Sequence, residues 1–159
     1  MTHQYPMLTA YNSAFKESLE HFQLADLSFT GSPAHAIHVS LSAKGYHPIL
    51  LVTSDREIPT FLVLDYGDDK YRYTDRSDSL LIRSFSTDDR FHRRGFALQA
   101  MTLLPDYVRG NFSDIHELVL GVNERNKPAQ QLYERSGFTK ISRTYQGAKG
   151  KQFIYRKTV

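Results

Sequence analysis

Two segments of the chain carry residue types that could bind a phosphorylated ligand and donate a proton. The first segment, His-Arg-Arg-Gly-Phe-Ala from His92 to Ala97, opens a predicted helix. The first N–H groups of a helix lack internal partners, and the helix dipole adds positive potential there. Gly95 allows close approach to the backbone, while Arg93 and Arg94 add charge. The segment therefore predicts a pyrophosphate site, with a solvated basic turn as the alternative.

The second segment covers residues 120–138 and carries a phenol that could act as an acid. It is predicted to be the end of a strand followed by a helix. Asn126 can cap that helix or hydrogen-bond an amide-rich ligand, and the small Ala129 leaves room beside it. Tyr133 has an ordinary pKa of about 10, so it stays protonated at neutral pH and could protonate a leaving thiolate. A packed core tyrosine is the alternative interpretation.

Together the two segments resemble the GNAT superfamily of N-acetyltransferases. The family pattern L-x-V-x-x-x-N-x-x-A-x-x-L-Y-x-x-x-G-F is met at every fixed position from Leu120 to Phe138. The family's coenzyme A loop, Q/R-x-x-G-x-G/A, is met up to Ala97 except at its first position, which is His92. The resemblance covers residues 80–140 well and the rest of the chain loosely.

The resemblance implies a reaction, a cofactor and a set of site residues. The reaction would be acetyl transfer from acetyl-coenzyme A to a primary amine of a small molecule or peptide, by direct attack in a ternary complex. Tyr133 would be the general acid, and a backbone N–H of the donor strand would stabilise the oxyanion. The residues implied to bind the cofactor are Phe85, Ser86, Thr87, His92, Arg93, Arg94, Gly95, Phe96, Ala97, Asn126, Ala129 and Tyr133. A non-catalytic acyl-coenzyme A sensor on the same fold is the alternative.

The elements that must position these segments alternate between helix and strand. Helices are predicted at residues 10–24, 33–44, 94–104 and 128–135, and strands at 48–53, 59–66, 80–85, 117–122, 138–145 and 152–156. Pro105 is expected to kink or end the third helix, and Gly137 to be the left-handed cap of the fourth. With the resemblance, this order predicts an α/β (mixed α+β) fold: a GNAT-like mixed sheet of about six to seven strands with helices on both faces, in a single domain of residues 1–159.

Composition excludes several classes of protein. The chain has no cysteine, so disulfides, cysteine-ligated metals and a thiol nucleophile are impossible. Its seven histidines are scattered, and no metal site is predicted. No apolar stretch approaches the ~18 residues of a membrane span, and the first 15 residues lack a signal-peptide pattern. We therefore expect a soluble, cytoplasmic protein without a membrane partner; whether it is a monomer or a homodimer is left open.

The charge distribution suggests a rival function and an acceptor. The net charge of +3 is mild. A nucleic-acid-binding domain would need one basic face, and the candidates for it are Arg90, Arg93, Arg94, Arg143, Lys149 and Lys151. An acidic segment argues against this rival, so no nucleic-acid partner is expected. Its carboxylates, Asp65, Asp68, Asp69, Asp75 and Asp78, could attract a polyamine or another cationic amine, or simply form a solvated loop.

A general base is not identified by the sequence. An alkyl amine has a pKa near that of lysine, about 10.4, so a base or a water chain must remove its proton before attack. The candidates are Glu117, His116, Asp65 and Asp78. Each of these is more typical of a solvated surface residue.

Overall fold

A seven-stranded sheet forms the centre of the protein. The structure is a computed structural model that describes residues 4–159. The start of the predicted domain, residues 1–3, lies outside this range. The strands are β1 (Met7–Ala10), β2 (Tyr46–Val52), β3 (Thr60–Asp65), β4 (Ser79–Thr87), β5 (Glu117–Asn123), β6 (Thr139–Gly147) and β7 (Gly150–Thr158). Their order across the sheet is β1-β2-β3-β4-β5-β7-β6. Only β4 and β5 run parallel, so the predicted mixed sheet with one parallel pair is confirmed.

Helices cover both faces of the sheet, as predicted. They are α1 (Lys16–Glu20), α2 (Pro33–Ser40), α3 (Phe96–Asn111) and α4 (Lys127–Arg135). Alternate residues of a strand point to opposite faces, and the two cores follow this rule. In β2, Ile49 and Leu51 belong to the core beneath α3 and α4, whereas Leu50 and Val52 belong to the core beneath α1 and α2.

Three elements of the structure differ from the prediction. The helix expected over residues 10–24 is reduced to a short 3-10 turn and the five residues of α1. The four-residue strand β1 was not predicted, because so short an edge strand is held by backbone pairing with β2 rather than by an apolar pattern. Helix α3 does not end at Pro105 but continues to Asn111. Pro105 is itself buried, and the packing of α3 against the sheet stabilises the helix beyond it.

The strands β4 and β5 diverge along their length. They pair over only three residues each, Ser79–Leu81 with Glu117–Val119. Beyond this point β4 carries a bulge: Val63 pairs with Arg83 but Phe61 with Ser86, so two residues of β4 face one residue of β3. The bulge contains Ser84, whose φ of 53° is unusual for a residue other than glycine. The divergence opens a cleft between the two parallel strands.

Within the described residues, no helix is long and apolar enough to cross a membrane.

Candidate active site

The cleft between β4 and β5 contains a cavity, here called the first cavity, of about 370 Å³. Its walls are Ile82 to Phe85 of β4, Leu120 to Asn123 of β5, and the side of α4 that carries Asn126, Ala129 and Tyr133. Phe29, Thr30, Ala148, Lys149 and Gln152 complete its lining. The structure therefore brings the two ends of the diverging strands together with the predicted helix of the second segment.

Helix α4 is fixed at both ends by local sequence. The side chain of Asn126 caps its start, accepting a hydrogen bond from the Ala129 N–H at 3.3 Å. At its end, Gly137 adopts φ 90°, and the N–H of Phe138 donates to the carbonyl of Tyr133 at 3.0 Å. This is the Schellman arrangement, and it confirms the predicted glycine cap. The two caps set the length and rotation of α4, and so the direction of the Tyr133 side chain.

Tyr133 is held by aromatic neighbours rather than by hydrogen bonds. Its ring centroid lies 6.3 Å from that of Phe85, 6.0 Å from that of Phe138 and 6.1 Å from that of Tyr155. The residue is buried but lines the first cavity, and its hydroxyl has no hydrogen-bond partner within residues 4–159. Burial raises the pKa of Tyr133 well above its ordinary value. The hydroxyl thus keeps its proton at neutral pH and has no protein partner that competes for it.

The basic loop lies at the same end of the sheet but outside the first cavity. It follows β4, and its residues His92 to Gly95 are exposed. Arg93 and Gly95 both have positive φ, 63° and 79°, so the chain turns sharply before α3 begins. The Arg94 guanidinium lies over the rings of Phe91 and Phe96, at 5.4 and 5.2 Å. This loop therefore leaves backbone N–H groups and cations facing solvent at a helix start.

The predicted strand residues have different environments. Phe85 lines the first cavity, whereas Ser86 is buried and its hydroxyl has no partner within the described chain. Thr87 ends β4 and does not line the cavity. Sequence reasoning missed Arg83 and Ser84, which do line it. A signal existed for Arg83, a single cation in the apolar run LLIRSF, but none marks the bulge at Ser84.

A second cavity, of about 230 Å³, lies on the other side of the cleft. It shares Arg83, Ser84, Gly121 and other lining residues with the first cavity. It adds five of its own: Gly31, Asp69, Arg72, Tyr73 and Leu81. The Tyr73 hydroxyl donates to Gln152 Oε1 at 2.9 Å. Gly121 lies beneath this pair, where a Cβ atom would come within 2.4 Å of Gln152 Oε1. Because the two cavities share a wall, the cleft connects both faces of the sheet.

The acidic segment is largely exposed beyond Asp65, as the sequence had favoured, but most of its charges are paired. Four of its five carboxylates pair with arginines: Asp65 and Asp69 with Arg83, Asp75 with Arg143, and Asp78 with Arg76. The ion pairs cancel most of the negative charge that would attract a polyamine. They also use Arg143, one of the cations that the nucleic-acid hypothesis requires; Arg90 is likewise paired, with Asp88.

The four candidate bases lie in unsuitable places. Glu117, His116 and Asp78 are at the paired end of β4 and β5, away from the open end of the cleft. Glu117 is buried and accepts hydrogen bonds from Thr74 and Arg76, and Asp65 is buried beside Arg83. The expectation of solvated surface residues is therefore wrong for Glu117 and Asp65. Within residues 4–159, no group of three or more His, Cys, Asp or Glu could hold a metal ion.

Sequence comparison places the chain among acetyltransferases. The model of the acetyltransferase (GNAT) family matches residues 33–138. The chain is also similar to an uncharacterized N-acetyltransferase, YbbJ, of Bacillus subtilis strain 168. The two are 30% identical over 149 residues, covering 92% of this chain and 93% of that protein.

Solved structures share the fold at low sequence identity. The aminoglycoside acetyltransferase AAC(6')-Ib in complex with coenzyme A has a TM-score of 0.75 at 13% identity, covering 95% of this chain and 93% of that one. The spermidine N-acetyltransferase of Vibrio cholerae, in complex with coenzyme A and spermine, has a TM-score of 0.68 at 14% identity, covering 96% and 94%. These matches confirm the predicted fold class.

Proposed function

This chain belongs to the acetyltransferase (GNAT) family and is an N-acetyltransferase that uses acetyl-coenzyme A, and we propose that an amine attacks the donor directly, in a ternary complex, within the cleft between β4 and β5. The observation that carries the proposal is the cleft itself. It joins a cavity beneath Tyr133 to a second cavity on the opposite face, so donor and acceptor can enter from different sides. We assign this function to a single domain of residues 1–159.

The residues around the first cavity suit coenzyme A. Beyond Leu81 no ladder pair joins β4 to β5, so backbone groups on both strands are free to bond the amides of a pantetheine arm. Ala129 is small enough to leave space along α4. The loop from His92 to Ala97, at the start of α3, offers backbone N–H groups and two arginines to the pyrophosphate. His92 contributes here through its backbone, because it replaces the glutamine or arginine of the family pattern.

The proposed reaction requires one proton to leave the acceptor and one to arrive at the donor. When bound, acetyl-coenzyme A supplies an acetyl thioester. The amine nitrogen forms a bond to the acetyl carbon and the carbon–sulfur bond breaks, so the nitrogen loses a proton and the sulfur gains one. We assign the second proton to Tyr133, whose side chain lines the first cavity and whose hydroxyl has no competing partner within residues 4–159. Free backbone N–H groups from Ser84 to Thr87 would hold the acetyl oxygen.

The first proton is proposed to leave through water. Asp69 is the one carboxylate among the residues that line the second cavity, and the hydrogen bond from Arg83 lowers its pKa. A carboxylate so stabilised as an anion is a weak base. The hydroxyl of Tyr73 is no better, because burial raises its pKa.

Calorimetric titration of the purified protein with acetyl-coenzyme A is the first test, with dephospho-coenzyme A as a control. Thiol release is then followed as amines are added; the chain has no cysteine, so it contributes no thiol signal of its own. We expect saturable binding and amine-dependent release. Absence of binding to folded protein would contradict the proposed function. Binding without release by any amine would favour the acyl-coenzyme A sensor.

A further inference from the structure

Arg83 is the unusual residue of the cleft. It lies on β4 between the apolar Ile82 and Ser84, lines both cavities, and leaves 30% of its side chain exposed. Its guanidinium stacks over the ring of Tyr46 at 4.9 Å. Placing a charged group there costs desolvation energy. A charged residue on a strand of the site therefore suggests a function in the site.

The ion pairs of Arg83 use one of its three guanidinium nitrogens. Both salt bridges involve the same nitrogen, Nη1, which lies 2.9 Å from Asp65 Oδ2 and 2.8 Å from Asp69 Oδ2. Within residues 4–159, Nε and Nη2 donate no hydrogen bond, yet neither is fully buried. These two nitrogens form the edge of a guanidinium that binds a carboxylate through two parallel hydrogen bonds. Asp65 and Asp69 thus fix the orientation of Arg83, a residue that lines both cavities of the cleft.

The charges on the cavity walls have an excess of cations. Arg72, Arg83 and Lys149 line the two cavities, and Asp69 is the single carboxylate among their lining residues. Asp65, the other partner of Arg83, is buried outside both linings. With Asp65 counted, three cations face two carboxylates, so a polycationic acceptor gains little attraction here, whereas an acceptor that also carries a negative charge can pair with the remaining cation.

We propose that the acceptor is an amino acid or a similar small amine, and that its carboxylate is bound by the free Nε–Nη2 edge of Arg83. The inference rests on the proposed function and specifies its substrate class. Phe29 lines both cavities and is 41% exposed, so it offers an apolar wall to a side chain of the acceptor. Arg72, on the 3-10 turn before Tyr73, lines the second cavity and pairs with Asp69 at 3.5 Å.

The same cations assist the chemistry. A positive environment disfavours the ammonium form and lowers the pKa of a bound amine. More of the acceptor is then neutral and nucleophilic at a given pH, which removes the need for a dedicated carboxylate base. This agrees with the absence of an unpaired carboxylate from the linings of both cavities within residues 4–159.

The test compares acceptors with and without the carboxylate. Thiol release from acetyl-coenzyme A is measured with L-phenylalanine, its amide and 2-phenylethylamine, and in parallel with a polyamine, spermidine. A lost bidentate ion pair costs at least about 10-fold in kcat/KM, so we expect phenylalanine to exceed its amide and 2-phenylethylamine by that factor. Equal or higher kcat/KM for the two analogues without a carboxylate or for spermidine, or no turnover of phenylalanine, overturns the proposal.

A matched pair of variants assigns the effect to Arg83. Lysine keeps the charge but cannot form the two parallel hydrogen bonds, so Arg83→Lys should lower kcat/KM for phenylalanine about 10-fold and hardly affect its amide. Arg76→Lys is the control, because Arg76 is ion-paired at the other end of the sheet and lines neither cavity. Thermal unfolding verifies that both variants fold. Equal losses for phenylalanine and its amide in Arg83→Lys would contradict the assignment.

Calorimetry distinguishes this inference from the proposed function. Acetyl-coenzyme A binds at the first cavity and the basic loop in the proposed function. Because Arg83 lines that cavity too, the donor affinity of Arg83→Lys is measured beside its kcat/KM, and it should fall less than kcat/KM for phenylalanine does. If the donor binds and amines other than amino acids are acetylated, only the substrate class is wrong. If the donor does not bind to the folded wild-type protein, the proposed function itself fails.

Discussion

The first and second cavities meet at β4 and β5, but different kinds of interaction build them. The first cavity is shaped by α4, whose two caps join residues close together in the chain, as Asn126 with Ala129 and Tyr133 with Phe138. The second is shaped by ion pairs between distant residues: Asp65 and Arg83 are 18 positions apart. A site for a common donor can be built from a local motif, whereas selection of one acceptor depends on contacts specific to this chain.

Removing the Tyr133 hydroxyl should have the largest effect, and it acts on the first cavity alone. Loss of a general acid lowers kcat by about 100-fold, so we expect Tyr133→Phe to lose that much turnover while its Kd for acetyl-coenzyme A changes little. Tyr155→Phe is the matched control: its ring lies 6.1 Å from that of Tyr133, but its hydroxyl donates to Glu134 outside the cavity. Steady-state kinetics and calorimetry measure both quantities. Unchanged kcat in Tyr133→Phe would show that another group protonates the sulfur.

The wall of the first cavity that α4 forms could be predicted from the sequence because its signals are local. The pattern from Leu120 to Phe138 contains both the capping residues of α4 and the side chains that α4 presents. The same holds for the hairpin of β2 and β3, where two apolar runs flank a polar turn. Each of these elements carries its start and stop signals within a few residues.

The second cavity could not be predicted, because its geometry depends on positions far apart in the chain. The pairing of Asp65 and Asp69 with Arg83 follows from the register of β3 against β4, which a bulge shifts. Composition alone suggested an acidic loop. Likewise α3 passes through Pro105 because burial against the sheet outweighs a local propensity, and such packing is not visible in a single segment.

Breaking the ion pair beneath the second cavity should give an intermediate effect and leave the first cavity intact. Asp65 is buried, accepts from the Gly67 N–H at 2.9 Å and pairs with Arg83. Asp65→Asn keeps one acceptor but removes the charge, so we expect a loss of about 2 kcal/mol in unfolding free energy. The kcat/KM for the acceptor should fall because Arg83 is less firmly held, with the affinity for acetyl-coenzyme A retained.

Urea unfolding measures the stability change, and Asp78→Asn is its matched control. Asp78 also pairs with an arginine, but at the other end of the sheet and partly exposed, where an ion pair contributes little. Equal midpoints for the two variants would show that the Asp65–Arg83 pair does not support the fold. If Asp65→Asn lost as much affinity for acetyl-coenzyme A as it lost in kcat/KM for the acceptor, the two cavities would not be independent.

A charge placed on the basic loop should have the smallest effect, and it should weaken only the binding of acetyl-coenzyme A. Gly95 has φ 79° and precedes α3, and a Cβ atom there would meet nothing within 4 Å. Gly95→Glu therefore adds a negative charge where the pyrophosphate is proposed to bind, and we expect about a 10-fold higher Kd for acetyl-coenzyme A by calorimetry. Gly95→Ala isolates the cost of the left-handed backbone. Gly110→Glu places the same charge near the other end of α3, also in open space. If Gly95→Glu binds the donor as tightly as Gly110→Glu does, the pyrophosphate does not lie at this loop, and the first cavity must hold the donor through β4, β5 and α4 alone.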